Sequence, residues 1–240
     1  MLSKGILALL KEGEKLFDWR RRDSYLSKLN EGMLFELPEK LQGVMDTAAG
    51  ICLLTKGFFN PLYRSLCCWR GSGDCPKPPY FGEGFFDLDG IAKGFVAGEI
   101  GAFLANNGYP RFIVEFGGDV WAGEGPQRPW RVGIHTPGHI SACGGIVLKL
   151  EWLAACTSGS YERGDHIRNP ATGRGVLHPW SVTVVGPDPA VADALATAAF
   201  ILGPQGDYSS FKRYMLIFCG GKGVISIVNP LNWVLDQRGP

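Results

Sequence analysis

Hydrophobic and polar residues recur along this chain with two different periods, and the period changes from segment to segment. Near the N-terminus the apolar positions mark one side of an amphipathic helix over residues 3–18, formed by Ile6, Leu9, Leu10, Leu16 and Phe17. Three further segments have the composition and end signals of helices, at residues 38–56, 92–107 and 189–202. Gly108 and Gly203 follow the last two segments and are expected to end them.

Short apolar runs bounded by glycine, proline and polar residues predict β-strands between these helices. They cover residues 84–88, 111–116, 130–135, 144–155, 180–186, 214–219 and 223–228. Many strands interrupted by a few helices are typical of the α+β class, with mixed or antiparallel sheets flanked by helices. The length of 240 residues fits one large domain or two small ones, and we expect a single domain over 1–240.

The composition excludes several classes of function. The formal net charge of +1 gives no electrostatic reason to expect nucleic acid as a partner. No apolar run reaches the length of a membrane span, and the apolar part of the N-terminus is too short for a secretory signal. We therefore expect either a cytoplasmic protein or a trimmed mature fragment of a periplasmic or membrane-anchored one.

One polar stretch, residues 156–173, is the first candidate for chemistry. The apolar run from Ile146 to Cys156 predicts a strand, and Thr157-Ser158-Gly159 predicts an abrupt turn that presents hydroxyls and backbone N–H groups to an anion. His166 follows between Asp165 and Arg168, and Asn169-Pro170 and Thr172-Gly173 are turn signals. The same residues also fit a surface hairpin with an incidental histidine.

The helix predicted at 189–202 carries a second candidate. Asp188 is a good N-cap and Pro189 suits the first helical position. Asp193 and Thr197 are four residues apart and share one face of a helix that is otherwise alanine-rich and apolar. A carboxylate and a hydroxyl in apolar surroundings need a partner, and Mg²⁺ is a cation that prefers oxygen ligands.

Common cofactor and catalytic motifs do not occur in this chain. Gly71-Ser-Gly73 lacks the third glycine of a dinucleotide-binding loop, and there is no Walker A sequence and no H-E-x-x-H. Ser158 lies in no G-x-S-x-G turn. These absences argue against a Rossmann enzyme, a P-loop enzyme, a zinc protease and a serine hydrolase of the elbow type.

Taken in order, a series of short motifs resembles the ApbE family of FAD:protein FMN transferases. They are Asp23-Ser24 with Leu29-Asn30, Thr55-Lys-Gly-Phe-Phe-Asn60-Pro61, Asp87-Leu-Asp-Gly-Ile-Ala92-Lys93-Gly94, Gly117-Gly118-Asp119, Thr157-Ser158-Gly159, His166-Ile-Arg-Asn-Pro170 with Thr172-Gly173, and Asp193-Ala-Leu-Ala-Thr197. The resemblance implies an ApbE-like, T-fold-related domain, with the N-terminal strand and the 62–86 linker shortened. The family's tyrosine before Asp-Ser is missing, and Trp19 nearby either offers an aromatic face to the flavin or adenine or covers the edge of the core.

The resemblance also implies a reaction and its residues. A serine or threonine hydroxyl of an acceptor protein would attack the pyrophosphate of FAD, join FMN and release AMP, with Mg²⁺ bound to the phosphates. The acceptor would be a flavoprotein subunit such as those of sodium- or proton-pumping redox complexes. Two alternatives stay open, namely a Mg²⁺-dependent FAD pyrophosphatase and a non-catalytic flavin-binding protein.

The resemblance also assigns roles in that reaction to individual residues of the motifs. The resemblance assigns the metal to Asp193, Thr197 and the carbonyl of Ala92. It assigns catalysis to His166 as the base, with Asp193 and Lys93, and it assigns FAD binding to Asn30, Ala92, Lys93, Gly117, Gly118, Asp119, Thr157, Ser158, Gly159 and His166. Lys93 would lie in the first turn of its helix, where the helix dipole and the ammonium both favour a phosphate.

Overall fold

The structure is a computed structural model, which describes residues 2–34, 36–63, 85–134, 146–160, 164, 166–221, 223–231 and 234–235. The helices are α1 (Leu2–Phe17), α2 (Tyr25–Asn30), α3 (Glu39–Leu54), α4 (Asp89–Asn106) and α5 (Pro189–Leu202). The strands are β1 (Ile113–Phe116), β2 (Asp119–Ala122), β3 (Trp130–Gly133), β4 (Val147–Leu150), β5 (Leu153–Gly159), β6 (Trp180–Gly186), β7 (Met215–Gly220) and β8 (Gly223–Val228).

Six strands form one sheet in the order β1-β2-β5-β6-β7-β8, and every neighbouring pair is antiparallel. Strands β3 and β4 form a separate antiparallel pair. The α+β class predicted from the sequence is therefore confirmed, with antiparallel pairing throughout the described strands.

Helix α5 lies at the centre of the molecule because it is apolar on nearly all sides. One side packs against α4 and α3, and the other packs against β5 and β6. Ten of its residues are buried, and alanine at most of them lets α4 and the sheet approach closely. Its ends match the sequence signals, since the Asp188 carboxylate accepts hydrogen bonds from the N–H groups of Ala190 and Val191, and Gly203 follows the helix with a φ of 74°.

Three hydrophobic clusters build the core on this arrangement. The first lies among helices α1, α2, α3 and α4, and the second fills the space between α5 and one face of the large sheet. The third covers the opposite face of that sheet with β3, β4, Leu231, Val234 and Leu235. None of the helices in the described part of the chain is both long and apolar enough to span a membrane.

Several element boundaries differ from those predicted. The strand predicted at 84–88 is wrong for residues 85–88, which form an irregular segment leading into α4, and Gly84 lies outside the described residues. Helix α4 begins at Asp89, so Lys93 lies in its second turn instead of its first. Strand β2 and the short helix α2 were not predicted, because each is too short to show a periodic pattern.

The strand predicted at 144–155 is two strands with a break between them. Trp152 adopts a φ of 50°, which interrupts the extended backbone between β4 and β5. The turn predicted at Thr157-Ser158-Gly159 is also wrong, because β5 continues to Gly159 and pairs with β6 from Ala154 to Gly159. These three residues therefore reach the cavity from the end of a strand.

Candidate active site

A cavity of about 320 Å³ lies where α4, α5 and the end of β5 meet. It brings together segments that are far apart in sequence. The residues lining it are Arg20, Phe58, Phe59, Asn60, Tyr63, Asp87, Asp89, Gly90, Lys93, Gly117, Thr157, Ser158, Gly159, His166, Ile167, Arg168, Pro170, Asp193, Thr197 and Ile201. Eight of the twelve candidate site residues named from the sequence are among them.

A buried ion triad lies at the floor of the cavity: Lys93 and Asp193 line it, and Asp119 is bonded to Lys93 outside the lining. The ammonium of Lys93 donates one hydrogen bond to Asp193 Oδ1, at 2.9 Å, and a second, shorter one to Asp119 Oδ2. Both carboxylates are buried, with 3% of each residue exposed. Lys93 comes from α4, Asp193 from α5 and Asp119 from β2, so this triad ties the two helices to the sheet.

Backbone N–H groups hold both carboxylates in place. Asp119 Oδ1 accepts a hydrogen bond from the N–H of Thr157 at 2.9 Å, and Asp193 Oδ2 accepts one from the N–H of Gly94 at 3.1 Å. Because both oxygens of each carboxylate are engaged, neither side chain is free to rotate. Asp193 therefore has a partner in this structure, as its apolar helix face required, and that partner is Lys93.

The triad has one net negative charge, since a single ammonium lies between two carboxylates. Burial and the nearby charge of Asp193 raise the pKa of Asp119 from its ordinary value of 3.8 to about 6, although Lys93 acts in the opposite direction. For Lys93, burial disfavours the ammonium, but the attraction of Asp193 and Asp119 outweighs it and raises the pKa. The site therefore favours the binding of additional positive charge.

Close contact between α4 and α5 places these groups. A Cβ atom added to Gly94 would lie 2.6 Å from the carbonyl carbon of Pro189 and 2.8 Å from Cα of Ala190, closer than packed atoms approach. Only glycine allows the backbone of α4 to lie this near the start of α5. One turn earlier, a Cβ on Gly90 would lie 3.2 Å from the hydroxyl of Thr197, so Gly90 is the α4 residue that faces Thr197.

The end of β5 forms one wall of the cavity. The hydroxyl of Thr157 shares a hydrogen bond of 2.9 Å with the hydroxyl of Thr183 on β6, and Ser158 is 9% exposed. The two hydroxyls were predicted to donate hydrogen bonds to phosphate, and this stays a prediction. In this structure the Thr157 hydroxyl is engaged with the Thr183 hydroxyl within the sheet.

The loop at 166–176 also borders the cavity and forms a short antiparallel hairpin. Ile167 is buried in the second cluster and accepts a hydrogen bond from the N–H of Val176, while Asn169 accepts one from the N–H of Ala171. His166 lies next to Ile167, is exposed to solvent and lines the cavity. The hairpin predicted from the turn signals is therefore present, and its histidine faces the site; Asp165 lies outside the described residues.

Four of the predicted flavin-binding residues lie outside the cavity lining, namely Asn30, Ala92, Gly118 and Asp119, which is bonded to Lys93. The amide of Asn30 clamps the backbone of Phe86, donating to its carbonyl at 3.0 Å and accepting from its N–H at 2.7 Å. Ala92 packs against the first hydrophobic cluster, and Gly118 donates its N–H to the carboxylate of Glu115. Asn30 therefore positions the segment that leads into α4, and a direct contact of these four residues with flavin stays a prediction.

Other lining residues were not singled out from the sequence as site residues. Arg20 makes a two-bond ion pair with Asp89, at 2.5 and 3.2 Å, and its guanidinium lies 4.3 Å from the centre of the Trp19 ring. Trp19 does not line the cavity, and Arg20 covers one face of its ring. The sequence around Arg20 gave no indication of its ion pair with Asp89, because the two residues are 69 positions apart.

Comparisons with known proteins identify a family and relatives of this chain. A model of the ApbE family matches residues 82–215. The chain is 32% identical over 134 residues to FAD:protein FMN transferase of Escherichia coli (strain K12), covering 50% of this chain and 38% of the relative. It is 34% identical over 147 residues to the protein of that name in Treponema pallidum (strain Nichols), covering 53% of this chain and 41% of the relative. These alignments thus span less than half the length of the relatives.

Solved structures extend the similarity of fold to nearly the whole chain. The flavin transferase ApbE from Vibrio cholerae superposes with a TM-score of 0.76 at 22% identity, covering 97% of this chain and 89% of that one. The ApbE protein from Thermotoga maritima superposes with a TM-score of 0.74 at 24% identity, again covering 97% and 89%. Because the family match extends over more than half of the 240 residues, this chain belongs to the ApbE family.

Proposed function

We propose that this protein transfers the FMN part of FAD to a serine or threonine hydroxyl of an acceptor protein, with Mg²⁺ bound and AMP released. The observation that supports this most directly is the buried triad of Lys93, Asp119 and Asp193 at the floor of a cavity that His166 also lines. The relatives named FAD:protein FMN transferase support the same reaction.

The residues at the cavity floor fit a magnesium ion. The atoms they offer as metal ligands are carboxylate, hydroxyl and carbonyl oxygens, which Mg²⁺ prefers. The net negative charge of the triad also favours a cation. The described residues hold no cluster of three or more His, Cys, Asp or Glu side chains, which agrees with an ion that keeps water or phosphate as its remaining ligands. When bound, the ion would neutralise charge on the pyrophosphate.

Asp193 and Thr197 are the proposed side-chain ligands. The Ala92 carbonyl was assigned as a third, but Gly90 lines the cavity opposite Thr197 and Ala92 does not, so the carbonyl of Gly90 is the better candidate. Lys93 keeps Asp119 and Asp193 in place through its two hydrogen bonds. Its main role is then to position the carboxylates, with any contact to phosphate made through its remaining donor.

His166 is the proposed general base. Its ring is exposed on the wall of the cavity, where a protein hydroxyl can reach it from solvent. The hydroxyl oxygen attacks the phosphorus of the FMN half, the bond from that phosphorus to the bridging oxygen breaks, and AMP leaves with that oxygen. His166 takes up the hydroxyl proton, and imidazole suits this because it changes protonation near neutral pH.

A second candidate is hydrolysis of FAD to FMN and AMP. The exposure of His166 favours it, because the same imidazole could take a proton from water instead of from a protein hydroxyl. The two reactions would share the metal, the triad and the leaving group. They differ only in the nucleophile that occupies the position next to His166.

One experiment separates the candidates. The protein is incubated with FAD and Mg²⁺, with and without a flavoprotein subunit of a sodium- or proton-pumping redox complex, the acceptor class we propose. A subunit whose modified residue is changed to alanine is the control. Fluorescent acceptor on a denaturing gel, together with AMP, supports the transferase, and free FMN and AMP without acceptor support the hydrolase. FAD that binds and stays intact under both conditions would leave only a flavin-binding protein.

A further inference from the structure

The cationic side chains that line the cavity differ in what they bind. Among the described lining residues, Lys93 is held by Asp119 and Asp193, and Arg20 is held by Asp89. Within the described part of the chain Arg168 has no carboxylate partner, and its side-chain hydrogen bond goes from Nη1 to the carbonyl of Gly173 at 3.1 Å. Of these three lining cations, Arg168 is therefore the one whose charge no described acidic side chain balances.

The hairpin fixes where Arg168 points. Ile167 is 7% exposed and anchored in the second cluster, whereas His166 and Arg168 on either side of it are exposed and line the cavity. Because successive side chains of an extended segment point to opposite faces, burying Ile167 turns its two neighbours to the same side. The bridge between Arg168 and Gly175 and the hydrogen bond from the N–H of Asn169 to the carbonyl of Arg174 hold this segment in register.

We propose that Arg168 binds the pyrophosphate of the dinucleotide substrate, an inference that rests on the proposed function. The guanidinium has five N–H donors in a planar fork and uses one of them on Gly173, so a two-bond contact to phosphate oxygens remains open. Residues i and i+2 of an extended segment are roughly 7 Å apart, so His166 and Arg168 can act on neighbouring atoms of one substrate.

Charge balance favours phosphate over other ligands of this residue. The floor of the cavity has a net negative charge, so a pyrophosphate needs positive charge from outside the triad. A bound magnesium ion would supply part of it, and Arg168 supplies more from the hairpin. The arginine thereby holds the reacting phosphorus next to His166, which makes it a substrate-binding residue with a role in positioning.

The test compares Arg168→Gln with Arg174→Gln. Arg174 is an exposed arginine of the same hairpin that does not line the cavity, so its variant removes the same charge from the same structure. We expect Arg168→Gln to raise the KM for FAD by roughly 10- to 100-fold, the usual range for a lost charge-assisted bond, and to weaken ADP binding in Mg²⁺ by a similar factor. Arg174→Gln should leave both unchanged.

Two further measurements identify what Arg168 contacts. Riboflavin has no phosphate, so its binding should be the same in wild type and Arg168→Gln, and the KM for the acceptor protein should also be unchanged. Arg168→Lys should fall between wild type and Arg168→Gln, because an ammonium retains the charge but loses the fork geometry. Thermal unfolding of each variant shows whether the hairpin and the fold are intact.

The outcomes separate this inference from the proposed function. Equal ADP binding by wild type and Arg168→Gln, or a rise confined to the KM for the acceptor, would overturn the role of Arg168 and leave the transferase reaction standing. If ADP binding depends on Arg168 but the wild-type protein never cleaves FAD, the anion site is supported and the proposed reaction is rejected. A wild-type protein that binds neither FAD nor ADP would overturn both.

Discussion

Replacing Gly94 by alanine tests whether the close approach of α4 to α5 builds the site. The added Cβ would lie 2.6 Å from the carbonyl carbon of Pro189, about 0.8 Å short of the 3.4 Å at which ordinary contacts begin, and closer still to the carbonyl oxygen. The obstacle is backbone, so side-chain rotation cannot relieve it. The two helices must separate by about 1 Å, and overpacking of this kind costs about 1–3 kcal/mol of stability.

The same displacement should disturb the chemistry. Gly94 donates its N–H to Asp193, and Lys93, the residue before it, donates hydrogen bonds to both carboxylates of the triad. Moving α4 therefore changes all three of these hydrogen bonds. A misplacement of about 1 Å at a catalytic group costs roughly 10²-fold in rate. We therefore expect Gly94→Ala to lose about 100-fold in kcat for FAD cleavage while the protein stays folded.

Gly43→Ala is the matched control for this experiment. Gly43 lies within α3, is exposed, and a Cβ there would meet nothing within 4 Å. Because alanine is the better helix former, this variant should be more stable by roughly 0.5–1 kcal/mol with unchanged turnover. Urea unfolding and steady-state FAD cleavage are measured on both variants. Wild-type stability and turnover in Gly94→Ala would refute the argument that this contact sets the site.

Three further predictions concern the triad and the base. Asp193→Asn should abolish Mg²⁺-dependent FAD cleavage, and Thr197→Ala should weaken it less, since only Asp193 supplies a charge; a magnesium titration of turnover that matches wild type would contradict this. His166→Ala should slow transfer by roughly 10²- to 10⁴-fold with FAD affinity kept, whereas a purely structural histidine would lose affinity and keep its saturated rate. Folding raises the pKa of Asp119 from 3.8 to about 6, so the folded protein binds this proton more tightly than the unfolded chain does. The free energy of unfolding, measured in EDTA, should therefore fall as pH rises from 4 through 6, by on the order of 3 kcal/mol. Urea unfolding across this pH range should lose that trend in Asp119→Asn.

Local patterns were enough to predict the long helices and most strands. The apolar stripe of α1, the Asp188 cap of α5 and the glycine after α4 act within a few residues, so the sequence places these elements to within a few positions. The pairing of Asp193 with Thr197 on one helix face was predictable for the same reason. The hairpin at 166–176 followed from its turn residues, whose conformational preferences are equally local.

Boundaries set by contacts with distant residues were not predictable. The break between β4 and β5 occurs at Trp152, where no glycine indicates it in the sequence. It forms where the Trp152 ring packs against Phe112 and Trp121. The extension of β5 through Thr157 and Gly159 depends on pairing with β6, which lies more than twenty residues later in the chain. Hydroxyls and a glycine look like a turn in the sequence because the partner strand is not visible there.

Lys93, Asp119, His166 and Asp193 could be named as candidate site residues from the sequence, together with the family to which the chain belongs. How their charges combine depends on the folded structure. Lys93 meets carboxylates 26 and 100 residues away, so the cation expected to bind phosphate is already shared between them. Ion pairs depend on distances in space, and a linear pattern contains no information on them. Among the described residues that line the cavity, Arg168 is then the cation without a carboxylate partner.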